Sequence, residues 1–356
     1  MQFKLNDYVY GSRLILISEE SICATGEFYI PELERSFKVS NEDELFNLVP
    51  NDVVYINEYG KVQRIYENRS RSLDLMLTIH CNSNCIMCPI SEGARRTNEN
   101  GYYDWLLELI DVLPENIEHV CITGGEPTLI GEKLFILIDK LTKKLANAEY
   151  QFLTNGRSCA NLELCKKVIN HMPLYTLYGV PLHAHNYILH DKIAQVDGAF
   201  NQTVQGIKNL VQNGAHVEVR VVVSKMNATI LESLAVFIAQ NLQGISCVTF
   251  MGIETMGNAI KNYEKIWIDY DVATSFIEKA IDILMGNGID VMIYNYPLCL
   301  ISKKYWLLSR RSITEYKVRY YEKCNLCSVK EVCSGIFKST FNVAKPNVKP
   351  VEIPYD

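Results

Sequence analysis

Cys81, Cys85 and Cys88 lie within eight residues, in the run Cys81-Asn-Ser-Asn-Cys85-Ile-Met-Cys88-Pro89. Three thiolates on one short loop can wrap one soft metal centre. Zinc usually takes a closed set of four ligands in paired short spacings. A triple with no fourth cysteine nearby suits an iron–sulfur cube with one iron left open to an outside ligand. A zinc site completed by His80 or by a distant residue is the alternative. With twelve cysteines in the chain, random placement would produce such a triple with a probability of about 0.01. A second set comprises Cys299, Cys324, Cys327 and Cys333. One distant thiolate and three in C-x2-C-x5-C can close a four-thiolate site, either a second iron–sulfur cluster or a zinc staple. A third feature is Thr123-Gly124-Gly125-Glu126-Pro127. Paired glycines let backbone approach a ligand closely, and their N–H and C=O groups can bind a zwitterion. A plain turn with Pro at the first helical position reads the same way. His183, His185 and His190 lie close together and are either pocket groups that bind substrate or shuttle a proton, or solvated loop residues.

The elements that must position these residues show a clear alternation. Apolar strand-like runs at 73–80, 119–123, 150–154, 175–182, 216–224 and 247–252 alternate with helical periodicity near 102–113, 132–147, 160–171, 202–213 and 229–241. Repeated βα units of this kind predict an α/β fold with a parallel sheet and right-handed crossovers. The sheet is either open and doubly wound or a partial barrel, and in both the ligands sit at the carboxyl ends of the strands. The cysteine triple follows the first run and the Gly-Gly pair follows the second, which puts both at that end. Residues 1–70 read as short strands, with a hairpin at 53–57 and 62–66 turning through Glu58-Tyr59-Gly60. Beyond a helix at 271–286 and a strand at 290–294, residues 297–356 show little periodicity and need staples to fold. These changes divide the chain into a β-rich region at 1–72, a core at 73–255 and a cysteine-rich region at 256–356.

Composition narrows the function. Of 356 residues, 48% are apolar and 21% charged, which excludes wholesale disorder. No run approaches the ~18 apolar residues of a spanning helix, which predicts no membrane partner, and no signal peptide is legible. A net charge of −6 and a pI near 5.7 argue against a nucleic-acid backbone as partner. Without an export signal the cysteines are expected as reduced thiols or metal ligands in the cytoplasm.

The Cys81–Cys88 loop, followed one strand later by Gly124-Gly125-Glu126-Pro127, resembles the signature of the radical S-adenosylmethionine (SAM) enzymes. The resemblance implies a partial (β/α)6 barrel and a [4Fe-4S] cluster on Cys81, Cys85 and Cys88, with SAM at the open iron. One-electron reduction then cleaves SAM to methionine and a 5′-deoxyadenosyl radical that abstracts hydrogen from substrate. It further implies that Thr123, Gly124, Gly125 and Glu126 line the methionyl amino group and that Met87 lies under the adenine. Asn155 would close the third strand, Arg220 would meet the SAM carboxylate, and Met251 and Gly252 would lie near the adenine edge. Many relatives carry a ribose-binding Ser where this chain has Pro181, so the ribose contact is unassigned.

The C-terminal set resembles the SPASM or twitch domain of peptide-modifying relatives. Ile336-Phe337 stands where a further Cys would be, which implies one auxiliary iron–sulfur cluster on Cys299, Cys324, Cys327 and Cys333. NYPLCLI at 295–301 and RSITEYKVRYYEKCNLCSVKEVCSGIF at 311–337 resemble the C-type maturase of the His-Xaa-Ser peptide system. The partners this implies are a ribosomally made precursor peptide, a second radical SAM maturase, and a reductant such as flavodoxin or ferredoxin. The Tyr-rich run 316–321 is expected to serve packing. The strands at 1–70 are either a leader-peptide edge, used by strand addition, or a brace for the barrel. Two other classes stay open: a radical SAM enzyme acting on a nucleoside, RNA or small metabolite, and a non-catalytic iron–sulfur or zinc scaffold for another maturase.

Overall fold

The computed structural model describes residues 1–23, 25–312 and 317–352. It begins with six short strands: β1 (Gln2–Lys4), β2 (Arg13–Leu16), β3 (Glu27–Ile30), β4 (Arg35–Lys38), β5 (Val53–Ile56) and β6 (Lys61–Tyr66), with helix α1 (Glu42–Phe46) before β5. Four of them form an antiparallel sheet in the order β1-β6-β5-β2, and β3 pairs with β4. The β5–β6 turn needs Gly60, whose φ is +73° and whose missing Cβ would lie 2.7 Å from Tyr8 Cβ. Alternation along β5 sends Val54 and Ile56 into a local core with Phe3, Leu5, Ile15 and Phe28. Val53, together with Tyr66, joins the core of the next region, and Tyr55 meets the edge of the Trp105 ring at 6.3 Å. One face of the small sheet is thus fastened to the larger core of the molecule.

Eight parallel strands come next: β7 (Ser72–Met76), β8 (His119–Thr123), β9 (Glu149–Leu153), β10 (Leu177–Pro181), β11 (His216–Val222), β12 (Cys247–Met251), β13 (Asp290–Tyr294) and β14 (Ser309–Arg310). Each pairs with its neighbour in the chain, so the order runs unbroken from β7 to β14 and the two ends stay unjoined, as in a partial barrel. The helices between them are α2 (Tyr102–Val112), α3 (Glu132–Lys144), α4 (Leu162–His171), α5 (Tyr187–Ala194), α6 (Ala199–Gln212), α7 (Leu231–Asn241), the short α8 (Asn258–Lys261) and α9 (Tyr263–Ile266), and α10 (Tyr270–Gly286). Val120, Ile122, Phe152, Val219, Val221 and Phe250 lie buried with apolar helix residues such as Leu134, Ile138 and Leu141. The intervening positions, among them Cys121, Gln151, Glu218, Arg220 and Thr249, turn to the other face, because side chains alternate along a strand.

The predicted α/β partial barrel is present, with three differences. The sheet has eight strands, since β13 pairs in register with β12 and β14 adds two residues. The first strand stops at Met76, not at residue 80. Beyond it the Thr78 hydroxyl donates to Glu99 Oε2 at 2.6 Å and the Ile79 N–H donates to Glu99 Oε1, so a side chain replaces the ladder. Helix α5 was not anticipated and starts where Asn186 Oδ1 accepts from Leu189 N at 3.1 Å.

After β14 regular structure thins to 3-10 turns, a hairpin of β15 (Val318–Arg319) with β16 (Ile336–Phe337), and helix α11 (Lys338–Phe341). Its apolar centre is Cys324, Ile336 and Val348. Tyr316, in the Tyr-rich run, lies outside the described residues. Among the described residues no helix is long and apolar enough to cross a membrane.

Candidate functional site

The Cys81–Cys88 loop leaves the carboxyl end of β7, where parallel sheets present their ligand sites. All three cysteines are free and, as whole residues, half-buried. The Cys81 sulfur accepts from Ser83 N at 3.4 Å and from Asn155 Nδ2 at 3.8 Å. Burial pushes the Cys85 thiol up to about 12; the neighbouring Cys88 and Cys81 add to the rise and Arg95 opposes it. Burial likewise raises Cys81. The thiols therefore feel one another's charge, and loading a cation would relieve that repulsion. Among the described residues no three His, Cys, Asp or Glu side chains converge closely enough to hold a single ion.

A polar frame holds this loop. His80 Nδ1 donates to the Arg95 carbonyl at 2.7 Å. The buried Arg95 guanidinium donates to Ser83 O and Asn84 Oδ1, both at 2.6 Å. Arg157 donates to Asn82 O and, at 3.0 Å, to Ser83 Oγ. Sequence reading did not identify Arg95, Glu99 or Arg157, because isolated polar residues in an aperiodic stretch carry no spacing signal.

Gly124 and Gly125 sit against the same loop. Gly125 N donates to Thr78 O at 2.7 Å and Glu126 N donates to His80 O at 2.8 Å. A Cβ on Gly125 would lie 2.1 Å from the His80 carbonyl oxygen, so glycine is what lets the two segments touch. Thr123 lies beside them, and its carbonyl accepts from Leu77 N at 2.9 Å. Glu126 has a specific structural task. Its buried carboxylate accepts from Thr154 Oγ1 at 2.8 Å, Asn155 N at 2.7 Å, and Thr128 Oγ1 and N at 2.7 and 3.2 Å. Burial raises its pKa while these donors hold it down. The carboxylate thereby bolts the end of β8 to the end of β9. Asn155 reaches on to the cysteine loop, donating to Asn82 Oδ1 at 2.6 Å.

Met87 is buried with Ile193, Ile253 and Ile266 beneath Cys85. Met251 accepts from Val223 N at 3.0 Å and Gly252 N donates to Tyr294 O at 3.1 Å. Arg220 stands deeper in the barrel. Its Nε lies 3.5 Å from the buried Glu218 carboxylate, beyond a good hydrogen bond, and its guanidinium lies 5.9 Å from the centre of the Tyr294 ring. Glu218 also accepts from Thr249 Oγ1 and Gln151 Nε2. His183 and His190 are buried 5.1 Å apart, and His183 N donates to His190 Nδ1 at 3.2 Å. Burial lowers them to about 3 and about 4, so both are neutral at physiological pH.

Cys299, Cys324, Cys327 and Cys333 line one cleft of about 370 Å³, its open mouth included, together with Arg319, Lys330 and Lys349. Backbone N–H groups already point at the sulfurs: Leu298 and Gly335 at Cys333, each at 3.4 Å, and Val351 at Cys327 at 3.3 Å. Burial raises the Cys299 and Cys333 thiols, and a Lys349 backbone hydrogen bond eases Cys299.

Solved structures to which the chain is similar include "Native anSMEcpe with bound AdoMet and Kp18Cys peptide", 16% identical over 62% of this chain and 63% of that chain, with a TM-score of 0.48. Streptococcus suis SuiB bound to S-adenosylmethionine is 16% identical over 62% and 46%, TM-score 0.44. Coproporphyrinogen III oxidase (HemN) from Escherichia coli is 12% identical over 61% and 52%, TM-score 0.47. The chain thus spans 46 to 63% of the length of these three. No curated protein matches it. Residues 75–234, which contain the first cysteine loop and the Gly-Gly-Glu segment, match the radical SAM superfamily; this part of the chain is a radical SAM domain, the domain of a superfamily of enzymes that use SAM.

Proposed function

We propose that the chain is a radical SAM peptide maturase, holding a [4Fe-4S] cluster on Cys81, Cys85 and Cys88 and one auxiliary iron–sulfur cluster on Cys299, Cys324, Cys327 and Cys333. The observation that carries the first part is that three free cysteines follow directly on Thr78–His80, the backbone against which Gly124 and Gly125 pack at the carboxyl end of the sheet. The donor set fits: soft thiolates, mutually coupled, with no fourth cysteine in the loop. When bound, the cluster supplies one electron for the reductive cleavage of SAM, the step that begins hydrogen-atom abstraction. The remaining work belongs to the chain's own residues. Gly124 and Gly125 present backbone to the methionyl end, Met87 supplies an apolar floor, and Arg95 and Arg157 keep the loop rigid. Arg220, beside the buried Glu218 carboxylate, is the cation for a carboxylate of SAM or substrate.

Four thiols in one cleft, crossed by backbone N–H donors, support the auxiliary cluster, and that cluster in turn supports a peptide substrate. The reading includes a ribosomally made precursor peptide of the His-Xaa-Ser kind, a second maturase, a flavodoxin- or ferredoxin-like reductant, and a cytoplasmic setting. The small N-terminal sheet then serves first as a brace, since Val53 and Tyr66 lie in the barrel core. The test is anaerobic reconstitution with iron and sulfide, addition of SAM and dithionite, and quantification of 5′-deoxyadenosine. Product from the wild type and none from Cys85→Ala is expected. Iron bound without product, even with candidate peptide and partner present, would favour the scaffold alternative.

A further inference from the structure

Residues 253–266, between β12 and α10, carry none of the motifs, yet they touch both cysteine regions. On one side they lie along the backbone of the first loop. The Asn258 carboxamide donates to Asn84 Oδ1 at 2.9 Å and Cys85 O at 3.1 Å, and accepts from Glu92 N at 3.0 Å. Its own backbone N–H donates to Cys88 O at 2.9 Å. One turn on, Asn262 Nδ2 donates to Ile86 O at 3.1 Å. The approach is close: Gly257 has φ +54°, and a Cβ there would lie 2.2 Å from the Pro89 carbonyl oxygen. Ile253, Ala259 and Ile266 pack beneath Met87.

On its other side the same segment grips the C-terminal region. Thr340 Oγ1 donates to Ile253 O at 3.1 Å and accepts from Thr255 Oγ1 at 3.3 Å. Lys317 pairs with Glu254 at 3.2 Å, and Tyr263 OH donates to Val343 O at 3.4 Å. The carbonyls of Ile86 and Cys88 lie outside any helix or strand and take their partners from this segment, while Cys85 O accepts from Asn258 in addition to Cys88 N at 3.1 Å. A carboxamide suits that task because it donates twice and accepts at once. It also adds no charge beside the thiolates.

We propose that residues 253–266 form a strap that positions the Cys81–Cys88 loop, with Asn258 as its clasp and Thr340 anchoring its far side to the C-terminal cysteine region. The inference rests on the reading of that loop as the SAM-cluster site. Asn258 is a positioning residue: it acts through the loop, not on substrate. Losing hydrogen bonds that orient metal ligands weakens a site by about 10–100-fold.

The experiment compares wild type, Asn258→Ala, Asn258→Asp and Thr340→Val as full-length, anaerobically reconstituted protein. Expected for Asn258→Ala is SAM binding weaker by about tenfold or more, a broadened electron paramagnetic resonance signal from the reduced SAM cluster, and an unchanged thermal melt of the barrel. Asn258→Asp, which keeps the acceptor but loses both donors, should behave like Ala. Thr340→Val should change the same signal more weakly. Unaltered SAM affinity and spectrum in Asn258→Ala would overturn the clasp, and an effect of Thr340→Val confined to the second cluster would overturn the linkage. A second arm uses the iron-free chain and follows hydrogen exchange at the amides of Asn84, Ile86 and Cys88. Faster exchange in Asn258→Ala supports the strap and equal exchange overturns it, even where the wild type fails to bind SAM and the functional reading falls.

Discussion

The two cysteine regions place the same side chain on opposite kinds of support. Cys81, Cys85 and Cys88 sit on a loop that closes off one strand of an eight-stranded sheet, held by Arg95, Arg157, Asn258 and the Glu126 bolt. Cys299, Cys324, Cys327 and Cys333 sit among 3-10 turns and two-residue strands, around an apolar centre of three buried residues. A shell that small cannot offset the entropy of ordering its chain. The first loop is therefore ordered by the fold itself. Under the proposed function, the second would depend on the cluster held by its thiols to keep its shape.

Removing one thiol from each region puts the contrast to its hardest test. Cys333→Ala, or chelation of iron, is expected to raise amide exchange across residues 318–348 by about 100-fold or more. Cys85→Ala should leave exchange in β8–β12 unchanged. Equal loosening of both regions would break the comparison. Within the barrel, Glu126→Ala strands the buried Thr128 and Thr154 hydroxyls and the Asn155 N–H, and should cost about 3 kcal/mol in chemical denaturation. Glu126→Gln should cost less, since it keeps one acceptor. Gly125→Ala places a methyl against the His80 carbonyl, with an expected cost of about 2 kcal/mol and loss of SAM binding. Ordinary binding by this variant would show that the loop shifts freely.

The smallest effect concerns pH. His183 and His190 titrate at about 3 and about 4 in the fold, below the ordinary 6.5. The unfolded chain therefore takes up protons first, so barrel stability should be level above pH ~6.5 and fall as pH drops below it, until the folded pKa values are reached. His190→Phe should flatten that fall. An unchanged slope in the variant would remove these imidazoles from the account.

Much of the barrel was legible because its signals are periodic. The helix expected at 271–286 is found at Tyr270–Gly286, and the 119–123 strand at His119–Thr123. The cysteine triple and the Gly-Gly pair were legible because their spacing is rare. What escaped was of two kinds. Helix α5 comes closely after the Pro181 strand end and depends on the Asn186 cap more than on an apolar stripe. The frame residues Glu99, Arg95, Asn258 and Asn262 act on backbone groups far away in the chain, Asn258 reaching back to Cys85 across 173 positions. Such hydrogen bonds leave no local pattern.

In the barrel each strand lies beside the one made just before it. During translation, β7 to β12 can add in turn as they leave the ribosome, each finding its neighbour already in place. The strap at 253–266 emerges directly after them. Cys333 emerges roughly 70 residues later, a delay of some seconds at about 5–20 residues per second. The first cysteine loop can thus be clasped while Cys324, Cys327 and Cys333 have yet to be made.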